Sequence, residues 1–333
     1  MSIRQVAARA GVSAATVSRV FTQPDAVAAD TQRRVMAAAE ELGYAPNPVA
    51  RSLARGRTGN LGIVVPDIAN SFAAVITKAV QSEALHDDFA LFIAGSDHRP
   101  EEEYRLARAI ASQVDGLLLI TPGMAEEKVR EVAASTPLAV FNREIDGCPA
   151  TLVPGTEGAT QAVEHLHALG HREIAYLAGP PVYSNAMRQV AFRAACDRLQ
   201  ITGVEIDLGD ARFSAGVRAG DLVLAAGVSA VLAYNDEVAV GVLNRLAHRG
   251  VDVPREVSVI GFDDTGLAEM VIPLLTTVRL PAAAAGAAAV RMLLDVVNGR
   301  DGAGGARLHL SSELVIRSTT APPAPARRPG GST

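Results

Sequence analysis

The sequence predicts two architectures in one chain: an N-terminal all-α helix-turn-helix headpiece, then an α/β body of two doubly wound lobes. Three observations carry this. Residues 1–60 hold short capped helices around a tight glycine turn; from Leu61 onward short apolar runs alternate with helical patterns; and those runs fall into two series. The chain has 333 residues, 49% hydrophobic and 20% charged, a globular composition long enough for about two domains.

The headpiece comes first. Ser2 and Gln5 stand at capping-box spacing before Val6-Ala7-Ala8-Arg9-Ala10, which predicts a helix ending at Gly11. Ser13 caps a second helix through Phe21, with Val17, Val20 and Phe21 on one face and Ala14, Ala15, Ser18 and Arg19 on the other. A third helix runs from about Ala29 to Leu42 and stops at Gly43. In this motif the second helix enters the major groove of DNA. Charge agrees: residues 1–60 carry eight Arg against four acids, a net of +4, and the remainder carries 23 bases against 32 acids, or −9. A basic head on an acidic body suits a protein whose head alone meets a polyanion. Between the breakers Pro46 and Pro48 and the glycines Gly56 and Gly59 lies room for one short helix without a core, the behaviour of a segment that folds on its target.

In the body, Leu61–Val65, Ala90–Ile93, Gly116–Ile120 and Leu138–Phe141 read as buried parallel strands, and Ile174–Leu177, Ala230–Ala233 and Val257–Ile260 as a second series. Helical patterns such as Ser71–Leu85, Thr156–Leu169, Ser184–Leu199 and Val238–Arg249 fill the gaps. Ligands are expected at the carboxyl ends of such strands. The segment Ala321–Thr333 is rich in Pro, Gly and Ala and is expected to be disordered. It lacks leucine heptads for a tetramerising coil, so a dimer is expected.

The runs Ile3–Ala7, Gly11–Val20, Glu41–Pro48 and Ala50–Leu53 resemble the headpiece of the lactose-repressor (LacI/GalR) family. The resemblance implies a dimer on an operator of double-stranded DNA. It implies that Arg19 reads a base by bidentate geometry, that Ser13, Thr16 and Ser18 contact phosphate, and that Leu53 wedges into the minor groove. Asn47, Arg51 and Arg55 complete that surface. Ala14 and Ala15 stand where the family varies its base-reading side chains and offer only methyl contacts; Thr22 stands where asparagine is common, and Ala28 replaces a usual helix cap, a loss of about 1 kcal/mol.

Leu166–Arg172, Arg188 to Ala195, Asn235–Ala239, Gly261–Asp264 and Pro273–Val278 are similar to the family's effector domain, a periplasmic-binding-protein-like pair of lobes. The resemblance implies a small-molecule effector, a sugar or related metabolite, held by Arg188, Asn235 and Asp263 from one lobe and Asn70, Ser71, Phe72, Asp97 and Asn142 from the other. Asn142 replaces a usual aspartate, and Pro154-Gly155 a usual Asp-Asn pair. Asp236 is expected to be a helix N-cap and Asp264 a turn residue. The expected organisation is residues 1–45 as headpiece, 46–59 as hinge, 60–319 as effector-binding and dimerisation body, and 320–333 as tail. The function implied is a ligand-responsive repressor of a utilisation operon.

Two other classes fare worse. An enzyme would need a motif, and neither G-x-G-x-x-G, a P-loop, H-E-x-x-H nor G-x-S-x-G occurs. His167 and His171 share metal-ligand spacing, but Gly170 breaks the helix between them; Asp263 and Asp264 are adjacent and point apart. No cofactor or metal is expected. A free-standing binding protein would need export, and the N-terminus lacks a signal-peptide layout. Nothing apolar enough for a membrane span occurs, and two isolated cysteines, Cys148 and Cys196, fit a cytosolic protein.

Overall fold

The computed structural model describes residues 1–22, 24–44, 57–300, 302 and 305–324. Residues 1–60 with 113–115 form one compact unit; Leu61–Ser112 and the described chain from Gly116 form the other. Of the predicted DNA-contacting residues, Asn47, Arg51, Leu53 and Arg55 lie outside the described residues, as does most of the hinge segment.

In the first unit, helices α1 (Ile3–Ala10), α2 (Ala14–Thr22) and α3 (Ala29–Glu41) enclose Val6, Val17, Val20 and Val35, with Phe21 and Tyr44 packed against them. The Gln5 side chain accepts the Ser2 N–H at 2.8 Å. Gly11 ends α1 at φ +66°, where a side chain would be strained, and Val12 N–H donates to Ala7 O at 3.0 Å to close the turn. Ala28 precedes α3 without a side-chain cap bond.

The second unit holds two six-stranded sheets of the same winding. The first contains β1 (Asn60–Val65), β2 (Ala90–Gly95), β3 (Gly116–Ile120), β4 (Leu138–Phe141), β5 (Ala150–Leu152) and β11 (Arg307–His309), in the order β11-β5-β4-β3-β1-β2. The second contains β6 (Glu173–Ala178), β7 (Thr202–Asp207), β8 (Ala230–Ala233), β9 (Ser258–Asp263), β10 (Thr276–Arg279) and β12 (Glu313–Val315), in the order β12-β10-β9-β8-β6-β7. β12 runs antiparallel to β10, whereas β1–β3, β3–β4, β6–β8 and β8–β9 are parallel. Each sheet reverses direction of winding beside its first strand, between β1 and β3 and between β6 and β8, which places a crevice at the strand ends there.

The chain passes between the lobes three times. After β5 it crosses to helix α7 (Thr156–Leu169), which packs on the second sheet. After β10 it returns to helix α12 (Ala282–Val297), packed against α4 (Ser71–His86) and strands β3 to β5. Between β11 and β12 it crosses again. These passages are tight: Gly158 N–H donates to Ser312 Oγ at 2.9 Å, and a Cβ on Gly158 would sit 2.1 Å from Val278 Cγ1.

Two expectations need correcting. Ala90–Ile93 is not a buried strand: β2 is the sheet's edge, and Phe92 and Ile93 are exposed. An apolar run marks a strand, but whether a helix covers it is a tertiary matter. Ala321, assigned to the tail by composition, is tied down: its N–H donates to Ser258 Oγ at 3.1 Å, and its carbonyl accepts from that hydroxyl at 3.1 Å and lies 3.0 Å from His171 Nε2. His171 is thus a buried structural residue, its imidazole pKa lowered by burial.

Asp236 begins helix α10 (Asp236–His248) and is 1% exposed. Its carboxylate accepts Thr265 N–H at 2.7 Å and the hydroxyls of Thr265 and Thr277. Burial still outweighs these bonds and pushes its pKa up to about 6. A carboxyl raised in the folded state binds its proton before the unfolded chain does, so this group's burden on stability is lifted as pH falls through 6. Asp236→Asn should therefore remove a pH-dependent term: between pH 7.5 and 5 the wild type should gain about 1.4 kcal/mol on the variant in urea unfolding.

Candidate functional site: an effector cleft and a DNA-facing helix

The cleft follows from the winding. Leaving the strands, the chain passes Pro66 and Asp67 after β1, His98 after β2, Thr121 after β3 and Asn142 after β4; on the other lobe it passes Val182 and Ser184 after β6, Ala211 after β7, Tyr234 and Asn235 after β8, and Asp263 at the end of β9. All of these line one cavity of about 560 Å³, mouth included. Eight non-glycine residues among those described have positive φ, and six belong to these strand ends: Asp97, His98, Thr121, Asn142, Asp263 and Asp264. For the β-branched Thr121, φ +46° is a strained backbone. Strain of this kind gathers where a surrounding structure holds groups for binding.

At the centre stand Arg188, from helix α8 (Tyr183–Leu199), and Asp263, 3% and 8% exposed. Arg188 donates from Nη1 to Tyr234 O at 2.8 Å and from Nε to Pro154 O at 3.2 Å, and its guanidinium lies 3.8 Å from the Phe262 ring centroid. Its Nη2 is 3.8 Å from Asp263 Oδ1, too long for a hydrogen bond. Burial drives the Asp263 carboxyl well above the usual carboxylate range, against the pull of Arg188. A buried acceptor beside an arginine with one end unspent can take a hydroxyl pair, one accepted and one donated.

The other predicted residues divide. Asn70, Phe72 and Asn142 line the cavity from the first lobe. Asn142 Oδ1 accepts Val153 N–H at 2.6 Å, so only its Nδ2 is left for a ligand. Asn235 lines the cavity with its amide already spent: Oδ1 accepts Val238 N–H at 2.8 Å and Nδ2 donates to Ala211 O at 2.9 Å. It, and not Asp236, is the N-cap of α10. Ser71 and Asp97 are absent from the lining; Ser71 bonds Glu237, and Asp97 is exposed beside Arg99. Asp264 is no idle turn residue: its carboxylate takes Arg279 at 2.6 Å and Arg317 at 2.7 Å. Sequence reasoning missed Asp67, His98, Thr121 and Tyr234; Thr121 and Tyr234 immediately follow predicted strands and Asp67 is second after one, whereas His98, five residues past Ile93, carried no such signal. The His98 pKa is lowered by burial, which favours the neutral ring.

On α2, Ser13 Oγ accepts Thr16 N–H at 3.0 Å and lies 2.9 Å from the Thr16 hydroxyl, so it is the helix N-cap. Ser13, Ala15 and Arg19 are exposed; Ala14, Thr16 and Ser18 are half-buried. Other headpiece arginines are occupied: Arg9 pairs with Glu41, Arg33 with Asp30, and Arg34 donates to Ala10 O at 2.5 Å. Among the described residues no carboxylate pairs with Arg19.

Comparison with known proteins bears on both sites. Residues 2–47 match the family described as bacterial regulatory proteins, lacI family, and residues 163–320 match a periplasmic binding protein-like domain. Catabolite control protein A of Priestia megaterium is 32% identical over 309 residues, covering 90% of this chain and 93% of that protein. The HTH-type transcriptional repressor CytR of Escherichia coli (strain K12) is 30% identical over 331 residues, covering 96% of each. The chain belongs to the LacI family. Among solved structures, a lac repressor dimer bound to operator and the anti-inducer ONPF superposes with a TM-score of 0.86 at 29% identity, covering 96% of this chain and 99% of that one. A complex of the transcriptional regulator CelR with cellobiose gives 0.71 at 29% identity, with 96% and 99% covered. LacI-family members are DNA-binding transcriptional regulators, and this chain has their two parts, the helix-turn-helix and the two-sheet binding body.

Proposed function

We propose that this protein is an effector-responsive repressor that binds a pseudo-palindromic operator as a homodimer and answers to a small, neutral, polyhydroxylated metabolite. The observation that carries the reading is Asp263, a carboxylate 8% exposed that stands 3.8 Å from Arg188, too far for a hydrogen bond, yet faces the cavity beside it. A hydroxylated ring satisfies both groups. An anionic ligand would meet Asp67 from one lobe as well as Asp263 from the other. Phe72, whose ring lies 6.4 Å from that of Phe141, offers an apolar face to the ring.

For DNA, Arg19 reads a base in the major groove, Ala14 and Ala15 supply methyl contacts, and Ser13, Thr16 and Ser18 meet phosphate. The dimer reading is supported by apolar side chains left exposed: Leu85, Phe92 and Ile93 on the first lobe, and Met270, Ile272 and Leu274 on the second. Effector and operator are coupled through the hinge, a reciprocal coupling of about 1–3 kcal/mol. The test is a selection of genomic fragments by the purified protein at stated salt, with and without a panel of sugars and nucleosides. Recovery of a palindrome with a deformable central step, its retention shifted by one panel member, is the expected result. No enrichment under any condition would overturn the reading.

A further inference from the structure

The lobes are joined across the cleft by Glu237, a side chain that lines no part of the cavity. Glu237, in the first turn of α10, reaches the N-terminus of α4 on the opposite lobe. Its Oε1 accepts Ser71 N–H at 3.1 Å, Asn70 Nδ2 at 3.3 Å and Ser71 Oγ at 3.4 Å. Asn70 is the N-cap of α4, its Oδ1 accepting Ala73 N–H at 3.0 Å, so its amide serves the helix with one end and the other lobe with the other. Ser71 N–H is one of the donors that a helix leaves without an internal partner. Its partner here comes from across the cleft, and an anion at that end also suits the helix dipole. A second pair meets across the cleft independently: the Tyr183 side chain of α8 lies beside the carboxylate of Glu144, just beyond β4.

We infer that Glu237 is a positioning residue that latches the two lobes together before any effector binds. The cleft of this protein closes on its own side chains, and the effector acts on a closed cleft through the residue that both share. That residue is Asn70, which lines the cavity while bonding Glu237. A ligand that engages the Asn70 amide competes with the latch; one that engages only Arg188 and Asp263 leaves it in place. The direction of the response is therefore set by which of these groups the effector takes. This inference rests on the cleft being an effector site, but its test needs no effector.

The experiment is residue-resolved hydrogen exchange on the ligand-free, full-length protein. The Ser71 amide should exchange at least about tenfold more slowly than an unstructured amide, because its bond to a carboxylate breaks only when the lobes part. Glu237→Ala should return it to the unprotected rate, and Glu237→Gln, which keeps an acceptor without the charge, should leave intermediate protection. The amides of Ile76–Val80, inside α4, and the thermal midpoint should stay at wild-type values in both variants, which separates a latch from a general loss of structure. A wild-type Ser71 amide exchanging freely, or protection unchanged in Glu237→Ala, overturns the inference. A failed search for an effector with the Ser71 result intact would instead count against the effector reading alone.

Discussion

Arg188→Met is expected to unfold the second lobe more readily by about 3–5 kcal/mol and to abolish effector binding. The side chain is 3% exposed and meets two demands at once. Its Nη1 and Nε satisfy the carbonyls of Tyr234 and Pro154, and its charge is the cation nearest the buried Asp263. Methionine keeps the volume against Phe262 but leaves two carbonyls without donors and a carboxyl without a counter-charge. The carboxyl can then escape only by protonation, so the deficit should shrink as pH is lowered. Asp263→Asn in the same background should recover part of the stability and none of the binding, a coupling readable as a double-mutant cycle in urea unfolding. In the wild type, effector affinity should rise with pH through the raised Asp263 pKa, because the ionised form is the better acceptor. An Arg188→Met protein as stable as wild type would show that the pair carries no electrostatic weight.

Arg19→Ala should weaken operator binding by about 1–3 kcal/mol, roughly five- to 150-fold, and relax the preference at a single base pair of each half-site. The residue is exposed on α2 and holds no carboxylate among the described residues, so its removal disturbs nothing within the headpiece. Arg9→Ala is the informative contrast. Arg9 is bound to Glu41 at 2.8 Å with both side chains more than half exposed, and its loss should shift affinity and stability only slightly and leave specificity untouched. Fluorescence titrations on the selected operator and on singly substituted copies give both quantities. If Arg19→Ala kept full affinity and specificity, a different face of α2 would have to enter the groove.

Local rules made much of this readable beforehand. Capping residues and closing glycines located the headpiece helices, because those signals act over four residues; Ser2 with Gln5, Gly11 and Ser13 all behave as their types dictate. Apolar runs located seven of the strands for the same reason. What escaped depends on distant partners. β7, with exposed and half-buried residues throughout, has no apolar run to announce it, and β11 and β12 are three-residue strands that exist because β5 and β10 offer them an edge. In the cleft, residue type alone could not separate Asn235, whose amide is consumed by its own helix and Ala211, from Asp263, whose carboxylate is left over. Ser71 illustrates the converse: the position is adjacent to the cavity, but its polar groups are turned to Glu237.

The three passages between lobes have a consequence for how the protein is made. A ribosome delivers the described headpiece, residues 1–44, early, and those helices can close on one another as soon as they emerge. Neither sheet of the body can be finished then. The first waits for α12 and β11 and the second for β12, all within residues 282–315. At about 5–20 residues per second, the interval between the two events is on the order of ten to fifty seconds. Throughout it the nascent chain carries a finished DNA-recognition module on two incomplete lobes, each with an unpaired strand edge, the state in which chaperones engage such chains. A premature stop shortly before Arg307 would take away the closing strand of both lobes, so even a late truncation would cost the whole sensor.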